Sequence, residues 1–472
     1  RYDGSSKFPT NSKWGFFPSA SVAWRVSEEP WMKWSEEWLD NFKIRLSAGS
    51  MGNGNVDPYS YTSEMTVVTA SDIVLGGGLP SYTTVGSTVP VSLTWEKSTT
   101  YDVGLDLDFF NNRLSVSGDY YRRYTTDMYT PSISLPSVYG TTSPKGNNAE
   151  LRTTGWELSL TWRDSFKLGG KPFDYSIKAM VWDNRTVVTK YENATRSLGT
   201  LKGYIQNGGS PSDFYEGMEL GEMWGYTVAG LFRDQADIDS SATHDFTQAS
   251  DKVTRPGQVK IADLDHNGNI DPGAFTAEDH GDLSIIGNIN PHYMFGVNLA
   301  ANWNGIGLSV FLQGVMKRDW YPSPDSGYFW GKYARPFMWV LGIHNYTDDM
   351  YSEEKNNWDT AYWPRMTTYQ SNSSYSWTKL LEIPNTRYKQ NAAYLRVKNI
   401  QVDYTFPKAL CQKIRLGGLK IYLSGENLFT FTPLHKYAPN FDPEALGYDT
   451  DFSSTAGDGY TYPVLKMSLI HI

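Results

Sequence analysis

The 472-residue chain has one cysteine, Cys411, and seven histidines. A single thiol excludes an internal disulfide framework and a cysteine-based zinc site. The histidines show no HExxH spacing, and neither a nucleophile elbow nor a Ser/His/Asp or Cys/His set is recognisable, so the sequence offers no catalytic centre. Basic excess is lacking too. The formal net charge is −9, with no basic patch and no phosphate-cradling loop, which argues against nucleic acid as a partner. No run approaches the ~18 apolar residues of a spanning helix. The sequence opens at Arg1 without an initiator methionine or signal peptide, as expected of a processing site or of a start partway through a longer protein.

Aromatic residues are abundant: 32 Tyr, 17 Trp and 21 Phe. An apolar ring with a polar handle suits membrane–water interfaces, and it equally suits sugar-binding surfaces. The stretch from Tyr101 to Tyr124 separates these readings. Tyr101, Val103, Leu105, Leu107 and Phe109 alternate with Asp102, Gly104, Asp106 and Asp108. Leu114, Val116, Gly118 and Tyr120 return, alternating with Ser115, Ser117, Asp119 and Tyr121. Period two gives one apolar and one polar face. Asn111-Asn112 reads as a two-residue turn, because asparagine tolerates positive φ. Strands of about a dozen residues exceed the roughly 5–6 of globular proteins. Three aspartates on one face suit water rather than a sandwich core, and long strands with apolar residues outward suit a transmembrane β-barrel.

The pattern recurs. Strands are expected over Trp14 to Ser27, Phe42 to Ala48, Trp156 to Trp162, Phe173 to Val181, Tyr293 to Trp303, Leu308 to Leu312, Tyr394 to Phe406 (with a slip near Lys398), Leu419 to Phe431 and Tyr462 to Ile472. With the hairpin they number about eleven. Gly169-Gly170 and Asn304-Gly305 read as short turns, and 28–40 and 407–417 as short links. Residues 51–98, 129–147, 190–290, 321–391 and 432–461 read as long loops. Strict alternation of short and long connections is that of a barrel with short periplasmic turns and long extracellular loops. A propeller or sandwich would give many strands without it. The expected fold is therefore all-β, a transmembrane antiparallel β-barrel. Bacterial single-chain barrels carry an even strand number. An odd count, with a first strand running toward a short turn, leads to the expectation that 1–472 is the C-terminal portion of a larger barrel.

Several stretches resemble the SusC/RagA family of TonB-dependent outer-membrane transporters of Bacteroidetes. They are GFFPSASVAWRVSEE (15–29), LDNFKIRLSAGSMGN (39–53), IADLDHNGNID (261–271), IGNINPHYMFGVNLAANWNGIGLSVFLQG (286–314), AAYLRVKNIQVDYTFPK (392–408) and YLSGENLFTFT (422–432). The resemblance implies the second half of a barrel of roughly 22 strands. It implies a plug domain and a TonB-contacting segment outside this sequence, and a SusD-like lipoprotein capping the barrel. It also implies import of a glycan or peptide across the cell outer membrane, amid lipid and lipopolysaccharide, by a protein that is not an enzyme. One departure is the ending Ser468-Leu469-Ile470-His471-Ile472, where such barrels usually end in an aromatic residue.

Two constellations have chemical content. Asp263, Asp265, Asn267, Asn269 and Asp271 have the spacing of a calcium loop, with Gly268 permitting the sharp turn and Asn269 offering its carbonyl. The twelfth position is Ala274, so Glu278 or Asp279 would have to supply the missing carboxylate. Bound Ca2+ would be structural. The competing expectation is a polar turn whose Asx side chains bond their own backbone. The second constellation is an aromatic run, in which Trp320, Tyr328, Trp330 and Tyr333 are candidates for stacking on sugar rings, against simple packing within the loop. Carboxylates such as Asp106 and Asp108 invite comparison with glycosidases, but one strand face of a hydrated lumen explains them better. From another class comes a secreted all-β glycan-binding protein or glycoside hydrolase with a calcium loop.

Overall fold

The computed structural model describes residues 1–62, 65–69, 74, 77–85, 93–131, 145–193, 196–198, 214–244, 254–322, 329, 349–365, 384–446 and 467–471. Its centre is one antiparallel sheet of eleven strands. These are β1 (Ser19–Arg25), β2 (Leu39–Asn53), β3 (Glu96–Phe109), β4 (Leu114–Pro131), β5 (Lys145–Leu168) and β6 (Lys171–Lys190), then β7 (His292–Trp303), β8 (Ile306–Lys317), β9 (Tyr394–Thr405), β10 (Lys420–Phe431) and β11 (Met467–His471). Each pairs with the next in sequence order, so the sheet is a meander with β1 and β11 at its edges.

Register aligns the apolar positions across the sheet. Trp24 lies opposite Ile44, Ile44 opposite Leu105, Leu105 opposite Gly118 and Gly118 opposite Leu158; Leu158 then faces Val181, and Val181 faces Phe295. Along these rows Val22, Leu46, Val103, Leu105, Leu160, Ile177, Leu308, Val402 and Leu423 are all exposed. An exposed apolar band of this extent is what the outer wall of a transmembrane β-barrel presents. Rings gather where the strands meet the short turns. Trp38 stacks on Phe109 at 5.9 Å, and Phe166 lies 5.0 Å from Phe173. Trp303 Nε1 donates to the Leu168 carbonyl at 3.0 Å. An apolar body with a hydrogen-bonded polar tip is the chemistry of an interfacial girdle.

Two turns follow the sequence reading. Leu168 pairs with Lys171 across Gly169-Gly170, and Trp303 pairs with Ile306 across Asn304-Gly305. All four turn residues have positive φ, the type I′ hairpin geometry. The slip near Lys398 is also present, as a register shift between Val397 and Asn399. The Asn111-Asn112 turn is different. Phe109 pairs with Leu114, so four residues form the loop, and Phe110 shares the positive φ of the two asparagines. The first strand is shorter than expected. Trp14–Phe16 pairs with Tyr2–Gly4 in a separate two-stranded sheet, and Pro18, lacking an N–H, separates it from β1. The 51–98 stretch is only partly loop, because β2 and β3 extend into it and Met65–Thr69 pairs with Ser81–Val85.

Among the described residues the largest buried apolar cluster lies in the long connections rather than on the sheet. It brings together Tyr226, Leu231, Ile270 and Leu283 from the β6–β7 connection, Trp320, Tyr351, Trp363 and Tyr388 from β8–β9, and Leu434 and Phe441 from β10–β11. Three insertions thus share one core at one end of the sheet. A smaller core of Phe8, Phe17, Val56, Leu93 and Trp95 ties the N-terminal hairpin to the β2–β3 connection.

Candidate functional site

The loop body meets the strand ends around a cavity of about 620 Å³. Asp183 and Arg185 of β6, His292 of β7 and Lys317 of β8 line it from below; Glu219, Glu222, Asn288, Asp319 and Lys389 line it from the connections. Both charge signs are present, and they pair. His292 Nδ1 donates to Asp183 Oδ1 at 2.8 Å, Arg185 pairs with Glu219 at 2.5 Å, and Lys389 pairs with Asp319 at 3.0 Å. His292 and Asp183 are both buried, so their pair is poorly screened. A cavity lined by both charge signs suits a polar ligand carrying hydroxyls or both charges.

Of the sequence-expected metal ligands, the fold brings two together. Carboxylate oxygens of Asp263 and Asp265 lie within 4.8 Å of each other and of a third, from Asp282. Two oxygens bound to one calcium ion lie at most about 5 Å apart, so the spacing fits. Asp282 is fully buried. It accepts from Leu264 N at 2.6 Å and from Asp271 N at 2.9 Å, closing the loop on itself. Burial, with Asp265 and Asp263 nearby, pushes its carboxyl above the usual range. A folded-state pKa raised in this way means that ionised Asp282 costs stability as pH rises through it, and a cation would offset that cost. Asp263 Oδ1 is buried with no hydrogen-bond partner among the described residues.

The other expected ligands are engaged locally. Asn267 Nδ2 donates to Asp265 and Asp271, Asn269 N donates to Asn267 Oδ1, and Asp271 Oδ1 accepts from Gly273 N. The loop therefore carries the Asx bonds of the competing expectation as well. Glu278 and Asp279 do not fill the gap: Glu278 pairs with Arg196, and the carboxylate that joins Asp263 and Asp265 is that of Asp282, not of Asp279. The available signal for Asp282 was an acid shortly beyond the loop, one of three between Glu278 and Asp282.

Trp320 is 6 % exposed and packs on Phe441 at 4.9 Å and on Phe329 at 6.2 Å. It forms part of the shared core, not of a ligand surface. Tyr328, Trp330 and Tyr333 lie outside the described residues.

A long-stranded meander with an apolar outer band and a loop body at one end is a receptor-barrel arrangement, and residues 1–259 match the family model "TonB dependent receptor-like, beta-barrel". The chain belongs to that family. TonB-dependent receptor P3 of Formosa agariphila is 28 % identical over 94 % of this chain and 40 % of its own length. TonB-dependent receptor SusC of Bacteroides thetaiotaomicron is 29 % identical over 58 % of this chain and 25 % of its own length. In fold the chain is similar to the solved RagAB peptide transporter, with a TM-score of 0.67 at 20 % identity over 99 % of this chain and 44 % of that one. The chain spans less than half the length of the curated relatives it matches. The sheet is a TonB-dependent receptor barrel sheet, and the relatives are receptors rather than enzymes. Membership sets aside the secreted lectin or glycosidase alternative.

Proposed function

We propose that this chain supplies the lipid-embedded wall and outer face of a TonB-dependent importer of a glycan or peptide in the cell outer membrane. The observation that carries this reading is the division of the molecule. Apolar rows cover one face of the sheet, while three insertions build one aromatic-rich body over a cavity of mixed charge at its end. Loops on a rigid scaffold are where recognition concentrates. A SusD-like lipoprotein would rest on parts of 51–98, 190–290, 321–391 and 432–461 and cover their apolar surface. TonB would act through a plug-bearing part of the full receptor. Deleting 321–391 removes Tyr351, Trp363 and Tyr388 from the shared core. The expected result is retained heat-modifiable migration, with growth on the cognate nutrient and co-purification of the lipoprotein both lost. Survival of both would place recognition elsewhere.

A second reading rests on the buried, unpartnered Asp263 Oδ1. Asp263, Asp265 and Asp282 would hold a structural Ca2+, whose charge would tie down the β6–β7 connection. Terbium luminescence on the intact receptor is expected to report a site that calcium displaces and Asp282→Asn abolishes. Equal signal from the variant would reduce the loop to its Asx turns.

A further inference from the structure

Two of the short connections contrast in charge. Residues 26–38, between β1 and β2, carry Glu28, Glu29, Glu36 and Glu37 against a single Lys33. The connection from β9 to β10 holds Lys408, Lys413 and Arg415, with Lys420 opening β10, and has no acid between Phe406 and Lys420. All four cations are exposed. Lys420 pairs with Asp403 at 3.1 Å, whereas Lys408, Lys413 and Arg415 have no acidic partner among the described residues.

Apolar side chains stand among these cations. Leu410, Ile414 and Leu416 are 47 %, 55 % and 44 % exposed. Leu410 and Ile414 are four residues apart across the short helix Lys408–Lys413 and its C-cap, so they share a face. Cys411 turns inward instead, its Sγ 3.9 Å from the Phe406 carbonyl oxygen. The chain enters this turn from Tyr404 and Phe406, whose rings meet at 4.8 Å and continue the exposed apolar row of Val402. The patch is therefore an extension of the lipid-facing band at its short-turn rim.

Apolar groups beside unpaired cations are satisfied together at a bilayer surface. The leucines and isoleucine enter the acyl boundary, and the longer cationic chains reach back to the headgroups. We infer that residues 408–420 form a docking surface for the phosphate headgroups of anionic phospholipids in the periplasm-facing leaflet. This rests on the outer-membrane reading above. Short turns face the periplasm in such barrels. Each Lys or Arg near an anionic surface contributes roughly fivefold in affinity.

The test uses the full receptor containing this chain, in detergent, titrated with phosphatidylglycerol or phosphatidylethanolamine and read by native mass spectrometry. Wild type is expected to retain phosphatidylglycerol at least about fivefold better. The triple variant Lys408→Gln, Lys413→Gln, Arg415→Gln is expected to lose the preference while migrating heat-modifiably. No preference in the wild type overturns the inference whatever the variant does. A preference that survives in the triple variant also overturns it. Failure of the wild-type receptor to migrate heat-modifiably would instead overturn the membrane reading.

Discussion

Arg45 and Asp119 lie on strands that are not neighbours, yet their side chains meet 2.9 Å apart over the bare backbone of Gly104. A Cβ on Gly104 would stand 2.5 Å from Asp119 Oδ1 and 2.6 Å from Arg45 Cζ, so glycine is what leaves the room. The same guanidinium binds Asp106, with Nε 2.8 Å from Oδ2. One arginine thus joins β2, β3 and β4 on the face opposite the apolar rows. Arg45→Met is expected to cost about 1–2 kcal/mol in urea unfolding, because it leaves two carboxylates close together in a partly buried setting. In a Gly104→Val background the bridge is already displaced, so the additional cost of Arg45→Met should shrink; equal costs in both backgrounds would mean the pair contributes nothing.

The facing of β3 has a direct test. Leu105 is exposed on the apolar row, and Asp106 accepts from Ser117 Oγ at 2.8 Å on the other face. Leu105→Arg should cost roughly 2–4 kcal/mol near the bilayer midplane. Asp106→Asn keeps an acceptor for Ser117 and should cost about 1 kcal/mol. A folding titration into vesicles that ranked the two equally would reverse the assignment.

The sequence was legible where a strand has one apolar and one polar face, because there period two is forced. The Tyr101–Tyr124 hairpin and the rows of β7 and β10 were found on that ground. Legibility failed where the contrast ends. β5 runs 24 residues and β6 runs 20, well past the alternating cores, and in β6 the extension carries Asp183 and Arg185, which line the cavity. Phe110 takes a positive φ that its residue type does not announce. Asp282 joins Asp263 and Asp265 through a loop closure in which its backbone N–H bonds the Asp271 carbonyl and its carboxylate accepts from Leu264 N and Asp271 N, a closure that no local spacing encodes.

The two glycine turns should respond differently to substitution. A Cβ on Gly305 would meet the Thr405 carbonyl oxygen at 2.6 Å, and its φ is +88°. Gly170 has φ +79° but nothing within 4 Å. Gly170→Ala therefore carries only the left-handed penalty, about 1 kcal/mol. Gly305→Ala adds a backbone clash and should cost roughly 1 kcal/mol more. Equal shifts in unfolding midpoint would show that β9 yields freely.

His244 makes the outer body sensitive to acid. Its Nε2 accepts from Ile261 N and its Nδ1 donates to the Ala242 carbonyl, both at 2.9 Å, which defines a neutral ring. Burial, helped by the nearby Lys260 charge, lowers its pKa from 6.5 to about 4. The Phe232 ring covers it at 5.0 Å and adds no charge. Because the folded value is depressed for a base, the unfolded chain binds more protons between these values. The stabilisation is complete above pH 6.5 and is lost as pH falls toward 4, at most roughly 3 kcal/mol. Limited proteolysis within 228–244 and 254–261 should accelerate across that window, and His244→Gln should flatten the response. An unchanged profile in the variant would assign the acid sensitivity to other groups.

Arg396 is a buried polar anchor between the sheet and the loop body. It lies on β9, 3 % exposed at its side chain, and pairs with Glu444 at 2.7 Å and with Asp442. Its Nε donates to Thr430 Oγ1 on β10 at 2.9 Å. Lys398 reaches the same Glu444 at 2.8 Å, and Tyr394 donates its hydroxyl to the other oxygen at 3.1 Å. Two strands and the 433–446 segment are therefore fixed through one guanidinium. Truncating one member of a buried ion network strands its partners, so Arg396→Met should cost roughly 3–5 kcal/mol. That loss should be local. The 433–446 segment should release, exposing Leu434 and Phe441 of the shared core, while the β2–β5 rows keep their protection. Hydrogen exchange on the variant in detergent reads both regions at once. Release of both together would mean that the loop body and the sheet unfold as one unit. Protection unchanged in 433–446 would mean that the apolar core holds the segment without the arginine.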